Sequence, residues 1–397
     1  MLRNLSSIIY SFLILFLITD LSAAVNRDPV LSLNGEWQFS TAEPIVDIVE
    51  NRSSGDFDPP QYHPELDSLI PPPARHNPAE QYLQDVQWIP VQVPSAWEQV
   101  AGIDYNGAGW YRHVFEIPEN WLKKSQRLWI EFDAVATAAG VWLNGKWSGG
   151  NVGDYSRWRV EVTEAAVPGQ NELLVYVDEL PGHIHQGFLS VVMPHHGGIW
   201  QEVRCYPTGN TALMKDGLHL AANPETGELK ITAELEGGWN PQTTFAALRL
   251  SRLQVGNSAE KAGSINIEKD NELFRFDEGK GRLYAVVNIP EFELWSPENP
   301  QLYQAEFILS SGDFQEKIRK NFAFRSIEIK GSTVFLNDSP LNIRSVLNWG
   351  QYPRIVSPAP PAETVKEEFL YFRSLGLNAE TVCLMIMPDY FYDIADE

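Results

Sequence analysis

With 397 residues, 44% of them hydrophobic, the chain is long enough for about two to three soluble globular domains. Its net charge of −22 argues against nucleic acid or an anionic membrane as partner, because both need a basic face. The two cysteines, Cys205 and Cys383, are too few for a disulfide framework or a cysteine-based zinc site. Both read as buried free thiols.

The chain opens on an expected export signal, residues 1–24. Arg3 is the only charge ahead of the apolar run 8–18, and Ser22-Ala23-Ala24 offers the small residues a signal peptidase reads. The run is short for a membrane-spanning helix. From Val25 onward the expected compartment is periplasmic or extracellular, without membrane contact after cleavage.

Residues 31–39 (LSLNGEWQF) read as a first strand. Residues 43–85 differ: Pro59-Pro60, Pro71-Pro72-Pro73 and Pro78 interrupt any periodicity, so this proline-rich insertion is expected to run over the surface. Residues 110–117, 127–132, 140–143, 171–177 and 199–206 are strand-like. Asn144-Gly145 is a tight-turn pair between apolar flanks. With no helical period, residues 25–207 predict an all-β jelly-roll sandwich. The 13 tryptophans suit sugar stacking, but most are expected to fill the sandwich core.

Strand-like runs recur at 218–220, 229–235, 244–250, 283–289, 304–309 and 317–324, predicting an immunoglobulin-like sandwich over 208–329. Residues 330–397 change character. Strands are expected at 333–336 and 341–346, followed by a helix with Val365, Phe369, Leu370, Phe372 and Leu375 at helical spacing and Gly376 as its cap. A fully buried strand over 378–387 and a helix over 389–396 follow. This order opens a parallel α/β unit. The overall expectation is mainly β: two sandwiches, then the truncated start of an α/β (TIM) barrel.

Several segments carry a resemblance. Residues 88–97 (WIPVQVPSAW), 106–112 (NGAGWYR), 141–145 (VWLNG) and 197–200 (GGIW) resemble the sugar-binding domain of glycoside hydrolase family 2. Residues 294–303 (LWSPENPQLY) with Phe324-Arg325 resemble the end of that family's immunoglobulin-like domain. Residues 335–344 (FLNDSPLNIR) and 390–397 (YFYDIADE) resemble the start of its catalytic barrel. The resemblance implies a retaining hydrolase of β-galactosides, β-glucuronides or β-mannosides, with a carbohydrate as partner and no cofactor. Such chemistry needs two carboxyl groups roughly 5 Å apart. In the family both are glutamates on later barrel strands, and no position here corresponds to either. No catalytic residue is therefore assigned, and this chain alone is expected to be inactive. Asp389, Asp393, Asp396 and Glu397 read as helix-terminal and solvated surface. The alternative is a non-catalytic carbohydrate-binding or structural module, a homo-oligomer included.

Four residues are candidate substrate contacts. Asn106 resembles an asparagine that reaches the substrate in some family members; its amide both donates and accepts, although Asn-Gly is also a very common plain turn. Asp154 begins a run (DYSRW) resembling a family loop near the active-site mouth, and it also reads as a Gly-Asp turn. Arg344 is expected at the end of the first barrel strand, where barrel sites are built. It would fix a carboxylate or hydroxyl, or pair with a later glutamate; Ser345 departs from the glycine usual beside it. Trp349 would stack on a sugar or pack beneath its loop. In the second barrel strand Thr381, Cys383 and Met385 stand where the family tends to place arginine and histidine, which points to a divergent subgroup. His183, His185, His195 and His196 lack a completing carboxylate pattern, so no metal is assigned.

Overall fold

The computed structural model describes residues 26–42, 83, 86–102, 105, 107–123, 126–179, 196–253, 267–269, 273–352, 354–383 and 385–397. The export signal lies outside these residues. So do nearly all of the proline-rich insertion, Asn106, His183, His185 and His195. Among the described residues no helix is long and apolar enough to cross a membrane.

The first eleven strands are β1 (Asn26–Asp28), β2 (Leu31–Ser32), β3 (Gly35–Ala42), β4 (Ile89–Val93), β5 (Ala108–Ile117), β6 (Gln126–Phe132), β7 (Ala138–Leu143), β8 (Lys146–Val152), β9 (Trp158–Glu161), β10 (Gly169–Asp178) and β11 (Val203–Gly209). A one-turn helix, α1 (Glu98–Ala101), lies between β4 and β5. All but β1 form two antiparallel sheets, ordered β4-β3-β5-β10-β7-β8 and β2-β11-β6-β9. Strand alternation sends Trp37, Phe39, Tyr111, Val141 and Val175 into the space between the sheets, where they meet Ile130, Phe132 and Val203. The opposite face of the six-stranded sheet carries a second apolar cluster of Trp110, Trp142, Leu174 and Tyr176. Trp37, Trp97, Trp142 and Trp200 are fully buried, so tryptophan serves chiefly as core here. Asn144 and Gly145 both take positive φ, 51° and 75°, the pair of values that a two-residue hairpin matched to strand twist demands.

The second sandwich comprises β12 (Ala212–Ala222), β13 (Glu228–Glu236), β14 (Thr244–Arg252), β15 (Ile267–Lys269), β16 (Arg275–Asp277), β17 (Arg282–Asn288), β18 (Tyr303–Ser311) and β19 (Phe314–Phe322). Its sheets are ordered β12-β13-β17-β16 and β1-β19-β18-β14-β15. The first strand of the described chain thus completes the second sandwich: Asn26, Arg27 and Asp28 pair with Arg319, Ile318 and Lys317. The three-residue strands β15 and β16 are too short to show a period in the sequence.

The last segment contains β20 (Ile327–Lys330), β21 (Thr333–Leu336), β22 (Ser339–Leu341), β23 (Ser345–Asn348), α2 (Ala362–Ser374), β24 (Ala379–Val382) and α3 (Asp389–Asp396). β20, β21 and β22 form an antiparallel meander, and β23 pairs β24 in parallel across α2. The helix ends as its sequence predicts. Gly376 has φ 79°; its N–H reaches the Arg373 carbonyl and that of Leu377 reaches Phe372, both at 3.0 Å, a Schellman closure.

Three expectations for this segment need correction. The strand expected over 341–346 is two strands. Asn378 interrupts it: its side chain accepts from the Arg344 N–H (2.7 Å) and donates to the Asn342 carbonyl (3.0 Å). The strand expected over 378–387 is limited to Ala379–Val382 and is not fully buried, because among the described residues β23 is its only strand neighbour and α2 covers one face. Cys383 is half-buried rather than buried, while Cys205 is buried and free. The described residues of this segment contain a single parallel β-α-β unit and no closed barrel.

Candidate functional site at the end of the first sandwich

Four segments converge at one end of the first sandwich: α1, residues 153–157 between β8 and β9, the end of β10, and residues 196–200. Two glycines permit the approach. A Cβ on Gly197 would collide with the Trp97 indole, and one on Gly198, whose φ is +95°, would collide with the Tyr111 hydroxyl. The backbone then locks: Trp97 N–H donates to the Gly197 carbonyl (3.1 Å), and Ala136 and Gly198 exchange bonds of 3.0 and 3.1 Å.

This convergence buries four carboxyl groups, those of Glu98, Asp154, Asp178 and Glu179. Burial is the main cause of unusual protonation in three of them, Glu98, Glu179 and Asp154. It lifts Glu98 to about 8, opposed by its own backbone N–H and that of Gly197, which donates at 3.0 Å. Glu179 also rises to about 8, through burial and the nearby Glu98, Asp178 and Asp154 charges. Asp154 rises to about 7 through burial. The Thr137 hydroxyl lies near enough to lower that value somewhat, yet forms no bond to either carboxyl oxygen. At neutral pH this end of the sandwich therefore carries acids that hold protons and can donate them.

An aromatic wall stands beside the acids. Tyr155 meets Trp200 edge-on at 5.6 Å and His196 at 6.1 Å. The Trp200 indole donates to the Asp154 backbone carbonyl (2.9 Å). Tyr155 also packs against the apolar cluster of Val365, Met385, Met387 and Phe391 in the α/β segment, and Ala359 packs against Ala134, Ala136 and Trp200. The acidic end of the sandwich thus abuts the C-terminal unit.

Asp154 is not a solvated turn residue: both its oxygens are buried without a partner among the described residues. Trp349 follows the C-terminal end of β23 and remains partly exposed. Its neighbour Gly350, with φ +67°, lies against Met385, in the cluster Tyr155 joins. Asp154 and Trp349 are thus each one residue removed from a neighbour of that same apolar cluster, Tyr155 and Gly350 respectively. Arg344 is elsewhere. It precedes β23, so it sits at the N-terminal end of the parallel pair with its side chain exposed, opposite the end where such units build sites. Asn106 lies outside the described residues. Below Trp349, Asn348 donates to Glu380 (2.5 Å) and to the Tyr352 hydroxyl (3.1 Å), which in turn donates to Glu368 (3.1 Å). Burial raises the Glu380 carboxyl above its ordinary value. Among the described residues no group of three histidine, cysteine or carboxylate side chains is placed to hold a metal ion.

Sequence reasoning missed Glu98 and Glu179. The one signal for Glu179 was a pair of acids closing an apolar strand, Val175-Tyr176-Val177-Asp178-Glu179; Glu98 carried none. It also read Asp389 and Asp396 as solvated, whereas they pair with Arg157 and Arg325.

Two family models match. The sugar-binding domain of glycosyl hydrolases family 2 covers residues 30–203, and the family's following domain covers 218–325. The chain belongs to glycoside hydrolase family 2. The family 2 sandwiches are mainly β and of jelly-roll and immunoglobulin-like type, and a sugar-binding domain implies carbohydrate binding. A β-galactosidase of Oenococcus oeni is 26% identical over 389 residues, which are 95% of this chain and 35% of that protein. A putative β-glucuronidase of Formosa agariphila is 25% identical over 339 residues, 80% of this chain and 30% of that one. The chain thus spans about a third of these family 2 relatives. Among solved structures, a β-glycosidase from Bacteroides vulgatus and a Bacteroides uniformis β-glucuronidase each share the fold at TM-score 0.65 and 20% identity. They are matched over 92% and 94% of this chain, and over 43% and 41% of their own.

Proposed function

We propose that this chain is the N-terminal part of an exported, retaining β-glycosidase, and that its two sandwiches carry and frame an α/β barrel that does the chemistry. The observation that supports this most is the bare face of the β23–β24 pair. Helix α2 covers one side, through Val365 and Val382. On the other, Ser345, Leu347 and Thr381 face outward and are exposed. Parallel strands are ordinarily buried on both faces, so further strands belong against this side.

In that reading the reaction uses two carboxyl groups, one protonating the leaving oxygen and one attacking the anomeric carbon; water then hydrolyses the glycosyl-enzyme. Neither group is assigned to this chain. Trp349 offers a ring face to a sugar at the C-terminal end of β23, and Asp154 lies behind Tyr155, which packs on the α/β unit; Asn106 stays a candidate on its resemblance alone. Residues 25–397 assayed with aryl β-glycosides should show no turnover; turnover would overturn the proposal. Extending the reading frame beyond Glu397 should reveal barrel strands carrying two glutamates, and an immediate stop codon would count equally against it. The sugar-binding domain match favours a second reading, a binding module without catalysis. Calorimetric heat on adding oligosaccharides to residues 25–397 would support that one.

A further inference from the structure

Residues 153–157 dock the first sandwich onto the α/β unit with three side chains that face three ways. Gly153, at φ +150°, reverses the chain where a Cβ is unwelcome, and its N–H donates to the Thr137 carbonyl (2.9 Å). Asp154 then turns inward, Tyr155 outward into the apolar cluster of Val365, Met385, Met387 and Phe391, and Arg157 toward Asp389 on α3. The inward member is the anomaly. Its carboxyl is fully buried, and neither oxygen accepts a hydrogen bond among the described residues.

The ionisable groups around Asp154 are mostly acids. Glu179, just after β10, and Tyr155 on the loop itself both feel its charge, and Asp178 and Glu98 lie beside Glu179 in turn. His196 stands across the Tyr155 ring. The one nearby guanidinium on the loop, Arg157, is committed to Asp133, Asp216 and Asp389. An ionised Asp154 in this position would be a buried charge with no hydrogen-bond partner among the described residues and with the Glu179 carboxyl nearby, which costs far more than a buried neutral acid.

We propose that residues 153–157 form a proton-controlled latch, docked while Asp154 is a neutral acid and released when it ionises, withdrawing Tyr155 and Arg157 from the α/β unit. With the docked carboxyl displaced from 3.8 to about 7, docking weakens progressively as pH rises between those values and stops weakening near neutrality. The inference is independent of which glycoside, if any, the protein cleaves.

The Trp200 indole N–H reports the latch directly, because its acceptor is the Asp154 carbonyl. In the full chain labelled with 15N-tryptophan, with Trp200 assigned through Trp200→Phe, its hydrogen-exchange protection should fall about tenfold per pH unit between roughly pH 5 and 7, then level off. The indoles of Trp37 and Trp129, bonded to the Leu33 carbonyl and the Thr208 hydroxyl, should not share that slope. Asp154→Asn should abolish it. Flat wild-type protection, a slope shared by all three indoles, or a slope that survives in Asp154→Asn would each overturn the latch. Should Asp154→Asn fail to fold, Arg157→Gln decides. Lower Trp200 protection at every pH with an unchanged slope supports the latch, and unaltered protection sinks it.

Discussion

Arg157 and Asp389, 232 positions apart, form an ion pair between the first sandwich and helix α3. The same guanidinium bonds Asp133 on its own sandwich at 2.6 Å and Asp216 on the second at 3.2 Å. One buried cation therefore ties three parts of the molecule. Its desolvation is outweighed by Asp133, Asp389, Glu131 and Asp216, which hold its pKa far above the ordinary arginine value.

Replacing Arg157 by alanine should cost about 3 kcal/mol, the usual penalty when one partner of a buried ion pair is removed. The loss should fall on the coupling between units, so a single unfolding transition should separate into two. Denaturant titration read by tryptophan fluorescence, with proteolysis of α3 as a second probe, checks this; a wild-type midpoint and one transition would refute it.

Arg27 on β1 does the same for the two sandwiches. It pairs with buried Glu316 and lies 4.7 Å over the Tyr206 ring, and Glu316 also accepts from the Leu213 N–H at 3.0 Å. Arg27→Ala would strand the Glu316 carboxylate in the interior and should lower stability by about 3–5 kcal/mol. Arg27→Ala with Glu316→Gln should recover part of that loss. Urea midpoints of the single and double variants test it.

The buried acids predict a pH dependence. Glu98, Glu179 and Asp154 have folded-state values of about 8, 8 and 7, above their ordinary values of 4.5, 4.5 and 3.8. Each binds protons more tightly when folded. The stability each contributes is complete below its ordinary value and is lost as pH rises through the folded one. Glu161 and Asp216 run the other way. Despite desolvation, Arg127 and Thr163 hold Glu161 low, and Lys215 and Arg157 hold Asp216 low. Their contribution is present above the ordinary carboxylate range and lost as pH falls through the folded value. Melting temperature should therefore peak in mildly acid solution and decline toward pH 8. A maximum above pH 8 would contradict the assignment, and Glu98→Gln should flatten the alkaline decline.

Gly198→Ala should be among the most damaging single methyl additions. The new Cβ would meet the hydroxyl of fully buried Tyr111, and φ +95° disfavours any side chain. A cost of about 3 kcal/mol is expected from overpacking together with backbone strain. Adding Tyr111→Phe, which removes the colliding hydroxyl, should restore part of it in thermal unfolding.

Local order was readable from the residues alone. Alternation marks β13, whose Leu229, Ile231, Ala233 and Leu235 all turn inward. Asn144-Gly145 fixes a hairpin through positive φ at both positions, and Gly376 closes α2, because these depend on chain geometry over a few residues. Partnership across long separations was decided only by the folded chain. The pairing of β1 with β19, the ion pairs of Arg157 with Asp133, Asp216 and Asp389, the burial of Glu98 and Glu179, and the break that Asn378 imposes before β23 each join residues tens to hundreds of positions apart. A charge or amide carries no local sign of which distant group will neutralise or bond it. Its partner and its protonation follow from where packing of the apolar faces leaves it, and that is settled by tertiary contact alone.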